Sequence, residues 1–121
     1  MAIPTTAVSI GQIMDPKEEL DFAIDVAGLL EVGENVASYT LSVFAEAVAL
    51  GLAIMSGSGR NAFYSLVTKK VSFWLAIDVG NQSNVAYDGA GASLGLLLTI
   101  ITDATPARTR QRTVVVRAAQ Q

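Results

Sequence analysis

Near the end of the chain, Arg108, Arg110 and Arg112 recur at every second residue, and the same parity continues as Val114 and Val116. On a strand, that spacing sets three guanidinium groups in one row. Such a row serves one of two chemistries: it follows a line of phosphates, or it forks onto the carboxylates of a protein partner. Basic strands that bind nucleic acid interleave aromatic residues for stacking, whereas here the intervening residues are Thr109, Gln111 and Thr113. A polar surface row is the plain reading. Contact with an acidic partner face is the functional one, and nucleic acid is not expected. Trp74 is the other residue with binding chemistry. It shares the minority face of its segment with Ser72 and Ala76, either as a core or rim tryptophan or as an aromatic contact at an assembly interface.

Catalytic chemistry finds little to work with. Histidine and cysteine are both missing, which removes Ser-His-Asp and Cys-His catalysis, the commonest metal ligand and any disulfide. Lys69 and Lys70 leave a Ser-Lys arrangement formally open, but neither belongs to a recognisable serine motif. Asp21 and Asp25 fall on one face of a single strand, about 13 Å apart at ~3.3 Å per residue, too far to share a cation. Asp15, Glu18 and Glu19 form a tighter cluster but lack the alternating acid and glycine pattern of a calcium loop. The glycines of "MSGSGRN" and "YDGAGAS" carry no Gly-Lys-Ser/Thr and lead into no helix, so they read as hairpin loops rather than phosphate cradles. No enzymatic activity, cofactor or metal is expected.

The composition bounds the remaining classes. The chain has 121 residues, 51% hydrophobic and 16% charged, with a net charge of −3; it fits one domain with a modest core and is not built to hold phosphates over its whole surface. Eight acids lie between Asp15 and Glu46 against Lys17 alone. From Arg60 onward seven bases face Asp78, Asp88 and Asp103. This polarity suits docking with a neighbour, although a solvated face explains it as well. Uncharged runs such as residues 47–59 fall short of the roughly 20 residues of a bilayer-spanning helix, so no membrane partner is expected. Residues 1–13 lack the basic start and apolar stretch of a secretory signal.

The elements that would position these residues are mostly strands. Residues 1–14 read as an extended arm or first edge strand, followed by a domain over residues 15–121. Asp15-Pro16 breaks the chain. Leu20, Phe22, Ile24 and Val26 then share one parity, and Tyr39, Leu41 and Val43 share another after the glycine turn of "EVGEN". Residues 45–55, "AEAVALGLAIM", mix helix-favouring alanine and leucine with a breaking Gly51. Their length and company predict a strand. Val71, Phe73, Leu75 and Ile77 mark the clearest strand of all. Val85 to Tyr87 is bracketed by turn formers. "LGLLLTIIT" is apolar on both parities, as for a strand covered on both sides or lying along a subunit contact. The arginine-bearing strand comes last. About seven strands separated by glycine-rich turns predict an all-β fold, a single antiparallel β-sandwich, with a small barrel as the alternative.

With the strands laid out, the chain resembles a family of small tailed-phage virion proteins, the fiber-tail adaptor or tail-associated structural proteins. Asp15 and Pro16 are similar to the family's opening. Leu20, Asp21, Phe22 and Asp25 resemble its first strand, with Phe22 in place of a usual tyrosine. Leu30, Gly33, Glu34 and Val36 resemble its first turn, with Glu34 in place of an aspartate. Val71, Phe73, Trp74 and Leu75 resemble its aromatic strand, and Thr102, Ala107, Arg108 and Arg112, leading into residues 113–116, its ending. The resemblance runs over residues 15–118, and residues 45–66 depart from it. It implies an immunoglobulin-like sandwich present in many copies in a phage particle, without enzymatic activity. The expected role is therefore a virion structural protein docking onto tail, fiber or capsid subunits as a homo-oligomer or symmetric multi-copy assembly. Arg108, Arg110, Arg112 and Trp74 are its candidate partner contacts. Capsid decoration is the alternative role, and a carbohydrate-binding β-sandwich module the alternative of another class.

Overall fold

The computed structural model describes residues 8–121, an all-β arrangement of two sheets with one short helix among them. The strands are β1 (Val8–Met14), β2 (Glu19–Asp25), β3 (Val36–Val43), β4 (Leu52–Ile54), β5 (Phe63–Ser65), β6 (Lys70–Ile77), β7 (Ala92–Thr102) and β8 (Thr109–Ala118), with helix α1 (Ala45–Ala49) between β3 and β4. One sheet runs β1-β8-β7-β3, with β1 parallel to β8 and the other pairs antiparallel. The second runs β2-β6-β4, and β5 follows β4 along the same edge of β6. The expected N-terminal arm or edge strand covers β1 from Val8 onward; residues 1–7 lie outside the described residues.

Parity explains which side chains meet. Phe22 and Ile24 of β2 and Val71, Phe73, Leu75 and Ile77 of β6 face inward, as do Leu94, Leu96, Leu98 and Ile100 of β7 and Val114 and Val116 of β8. All of them join one hydrophobic cluster shared by the two sheets. Each such side chain, taken fully out of water, contributes roughly 1.5–3 kcal/mol. The outer face of β7 is covered in part by Phe44, whose ring occupies the space where a side chain on Gly95 would stand. That close approach answers the double-sided apolar run: its even positions are core, while Leu97 and Thr99 are half-buried and Ile101 is exposed.

Residues 45–55 differ from the expectation of one strand. They form α1, a reversal at Gly51 and then the three-residue β4. Gly51 adopts φ +94 and its α-hydrogen faces the Asn81 side chain, so both conformation and space call for glycine. The alanine-rich half follows its helix propensity for little more than a turn. Residues 85–87, bracketed by turn formers, are a 3-10 turn that buries Tyr87, and its hydroxyl donates to the Leu50 carbonyl. β5 had no counterpart in the sequence pattern, and with it the described residues form eight strands, against about seven expected.

Candidate interaction surfaces

The arginine row is not one surface. β8 begins at Thr109, so Arg108 stands in the turn just ahead of it, half-buried like Arg110 and Arg112 but held by other partners. Thr102 and Arg108 close that turn. The Thr102 N–H donates to the Arg108 carbonyl at 2.9 Å, and the Arg108 N–H donates to Thr102 Oγ1 at 2.9 Å. The guanidinium is thereby aimed at the β2–β3 loop. Its Nη2 donates to Glu34 Oε1 at 2.6 Å and its Nε to Glu34 Oε2 at 3.3 Å, a bidentate fork. Nη2 also reaches the Leu29 carbonyl at 3.4 Å, and Nη1 lies 3.5 Å from Glu31 Oε1.

Glu34 is 5% exposed despite its charge. Gly33, at φ +80, turns the loop so that this carboxylate points back under it and accepts the Glu31 N–H at 2.9 Å. The Arg108 hydrogen bonds first, then the Glu31 N–H, hold its carboxyl down at about 2, well below the ordinary 4.5. The same corner is tied from three other sides. Lys69 Nζ donates to the Glu34 carbonyl and to Asn35 Oδ1, and the Tyr64 hydroxyl also donates to Asn35 Oδ1. Asn35 and Asp103 exchange hydrogen bonds between the two loops, Asn35 N–H to Asp103 Oδ1 and Asp103 N–H to the Asn35 carbonyl. A groove of about 460 Å³ remains between the loops, bordered by Glu31, Val32, Glu34, Asp103, Pro106 and Arg108.

Arg110 and Arg112 are placed differently. They stand opposite Ile100 and Leu98 of β7, on the inward side of the sheet, yet both are only half-buried while Val114 and Val116 further along are fully buried. Among the described residues neither forms an ion pair. Their guanidinium groups are thus available where that of Arg108 is committed. The alternate residues face outward, with Gln111 Nε2 donating to Thr99 Oγ1 at 3.3 Å.

Trp74 lies on the other sheet, on the outward side of β6, opposite Asp21 of β2. The structure does not bring it together with the arginine row. Instead, Arg60 from the β4–β5 loop stacks over it, 5.3 Å from guanidinium carbon to ring centroid. Arg60 Nη2 lies 3.4 Å from Glu19 Oε1, and its Nε is buried with no hydrogen-bond partner among the described residues. Phe63 follows on β5, opposite Ser72 and 56% exposed. Sequence reading passed over both Arg60 and Phe63. The signal was there in a lone arginine ending the glycine loop, followed by two aromatics, but which strand they would flank was not.

The acidic cluster at the start of β2 is a turn. The Asp15 N–H donates to Glu18 Oε1, and the Asp15 carboxylate accepts the N–H groups of Lys17 and Gln121, in that order the causes that lower its pKa. Among the described residues no group of three or more acidic side chains is placed to hold a metal ion. Comparison with known protein families and with curated proteins finds no match for this chain.

Proposed function

We propose that this chain is a non-enzymatic structural protein of a tailed-phage particle, an immunoglobulin-like β-sandwich that docks onto neighbouring virion subunits as a tail or fiber adaptor. The strand order supports the fold reading. β2, β6 and the β4/β5 edge correspond to one sheet of that architecture, and β7, β8 and β3 to the other, with the first strand added to the last. The motifs from Asp15-Pro16 to the closing arginines support the family reading.

The observation that carries the docking role is the placement of interaction chemistry on two different sheets. Arg110 and Arg112 of β8 form no ion pair among the described residues, and Trp74, Arg60 and Phe63 cluster outside β6. Two such surfaces on one rigid frame let a copy touch two neighbours, and particle symmetry multiplies modest contacts into firm attachment. The carbohydrate-binding reading draws on Trp74 and Phe63 beside Asp21. It ranks second because Arg60 occupies the ring face on which a sugar would stack.

The test is incorporation. Replacing Arg110 and Arg112 with serine leaves the fold unchanged by circular dichroism and reduces the copies retained on purified particles at least several-fold, read by quantitative mass spectrometry. Full retention rules out the arginine contact. Glycan-array binding by the isolated protein, with retention unchanged, moves the carbohydrate reading to first place.

A further inference from the structure

Free sheet edges invite pairing with other chains, and folded proteins blunt them with charge, proline, bulges or short strands. The second sheet follows this practice. Its β2 edge carries Glu19, Asp21 and Asp25, all exposed, and its other edge is divided between two strands of three residues each. The β3 edge of the first sheet does not. Its eight residues, "VASYTLSV", include no charge and no proline.

The outward backbone groups of β3 can be assigned from alternation. The N–H of Phe44 donates to the Gly95 carbonyl of β7 at 3.0 Å. Successive residues of a strand point their N–H and C=O to opposite sides, so Ser42, Thr40 and Ser38 face β7, and Val43, Leu41 and Tyr39 face away from it. Among the described residues no hydrogen bond satisfies these outward groups. The side chains of Tyr39, Leu41 and Val43 are half-buried at the same edge, and Ser38, Thr40 and Ser42 are exposed on the outer face.

The order of these residues identifies what fits. Ser38-Tyr39-Thr40-Leu41-Ser42 has the same polar and apolar pattern in both directions about Thr40. We propose that β3 pairs antiparallel with β3 of a second copy about a two-fold axis at Thr40, joining two four-stranded sheets into one of eight strands.

This register matches like with like. Thr40 meets Thr40 as a close, non-hydrogen-bonded pair, and Ser38 meets Ser42 on the same face. Tyr39 and Leu41 of the two copies exchange their free N–H and C=O groups, and their side chains pair on the inner face. The isologous symmetry makes every contact occur twice. Each copy carries a net charge of −3, and pairing along the uncharged β3 places no like charges opposite one another. The irregularity between Val36 and Ser38 ends the ladder at that side. The inference does not depend on the phage reading.

The full chain is measured by sedimentation across a concentration series, with amide hydrogen exchange alongside. The expected result is a mass rising toward twice 12.7 kDa. The amides of Tyr39 and Leu41 slow with concentration, while those of Thr40 and Ser42, already bonded to β7, do not. Thr40→Lys and Thr40→Asp, both at an exposed position, each give a monomer with an unchanged circular dichroism spectrum. Mixing them restores a dimer with one copy of each, identified by native mass spectrometry. Wild-type protein that stays at 12.7 kDa throughout overturns the proposal. So do a dimer that both variants leave intact, and variants that remain monomeric when mixed.

Discussion

Arg108 and Arg60 each tie down a loop through a guanidinium and a glutamate, by different means. Arg108 engages all three of its nitrogens: Nε and Nη2 on Glu34, Nη2 also on the Leu29 carbonyl, and Nη1 toward Glu31. Its principal partner is withdrawn from water. Arg60 has one nitrogen near Glu19, an indole face beneath it and a buried Nε without an acceptor among the described residues. A buried charge is tolerated where its donors and acceptors are matched, and an unmatched donor opposes its own burial. The first arginine is therefore part of the fold. The second is a tie that can open while the sheets stay in place, as suits a surface that meets a partner.

The strongest way to break this comparison is to remove each guanidinium in turn. Arg108→Ala leaves the Glu34 carboxylate buried without its counter-charge, which is more damaging than losing a pair outright. The melting temperature is expected to fall several-fold further for Arg108→Ala than for Arg60→Ala. Glu34→Gln falls in between, because the amide keeps one acceptor for the fork. Equal shifts for the two arginine variants, by calorimetry, would abolish the distinction.

The contrast also marks what a sequence exposes. The parity of Leu20 to Val26 and of Val71 to Ile77 located β2 and β6 because one face of each is core and the period of two records it. The same reasoning put Trp74 on the face opposite Phe73 and Leu75 but left open whether that face was core, rim or contact; it is the outward one. Parity held at Arg108, which is half-buried like Arg110 and Arg112, but parity names no partner, and this arginine lies one residue ahead of the strand beside the β2–β3 loop. Its partner Glu34 is 74 residues away in sequence, and only the pairing of β7 with both β3 and β8 brings the two loops together. β5 and α1, at three and five residues, are too short to show a period. The first exists because β6 offers an edge, and the second because Gly51 ends what the alanines begin. The free edge of β3 was written in its lack of charge, but only the sheet order shows it to be an edge.

Acid separates the two ties further. The Glu34 carboxyl is at about 2 in the folded chain, against an ordinary 4.5. A carboxyl lowered on folding contributes stability that is fully present above the unfolded value, and that contribution is lost as pH falls through the folded one. The Arg108–Glu34 contribution is thus constant above about pH 4.5 and disappears between there and pH 2. In urea titrations across this window, wild type should lose stability more steeply than Glu34→Gln, which has no carboxyl to protonate. Parallel curves would mean that the fork does not set the acid limit.

The smallest effect belongs to Arg60, and it is the easiest to localise because Trp74 is the only tryptophan. A cation over an indole face at a partly exposed site contributes roughly 0.5–1 kcal/mol, so Arg60→Ala should barely move the melting curve. It should nevertheless shift tryptophan emission to the red and increase quenching by acrylamide, because the guanidinium is the cover over the ring. Added salt weakens the pairing with exposed Glu19 but leaves the stack, so wild-type emission should be almost independent of ionic strength. If salt alone produced the red shift of the variant, the Glu19 pairing would be what holds Arg60 in place. The indole would then be the passive member of the tie, and Trp74 an exposed contact in all but low-salt conditions.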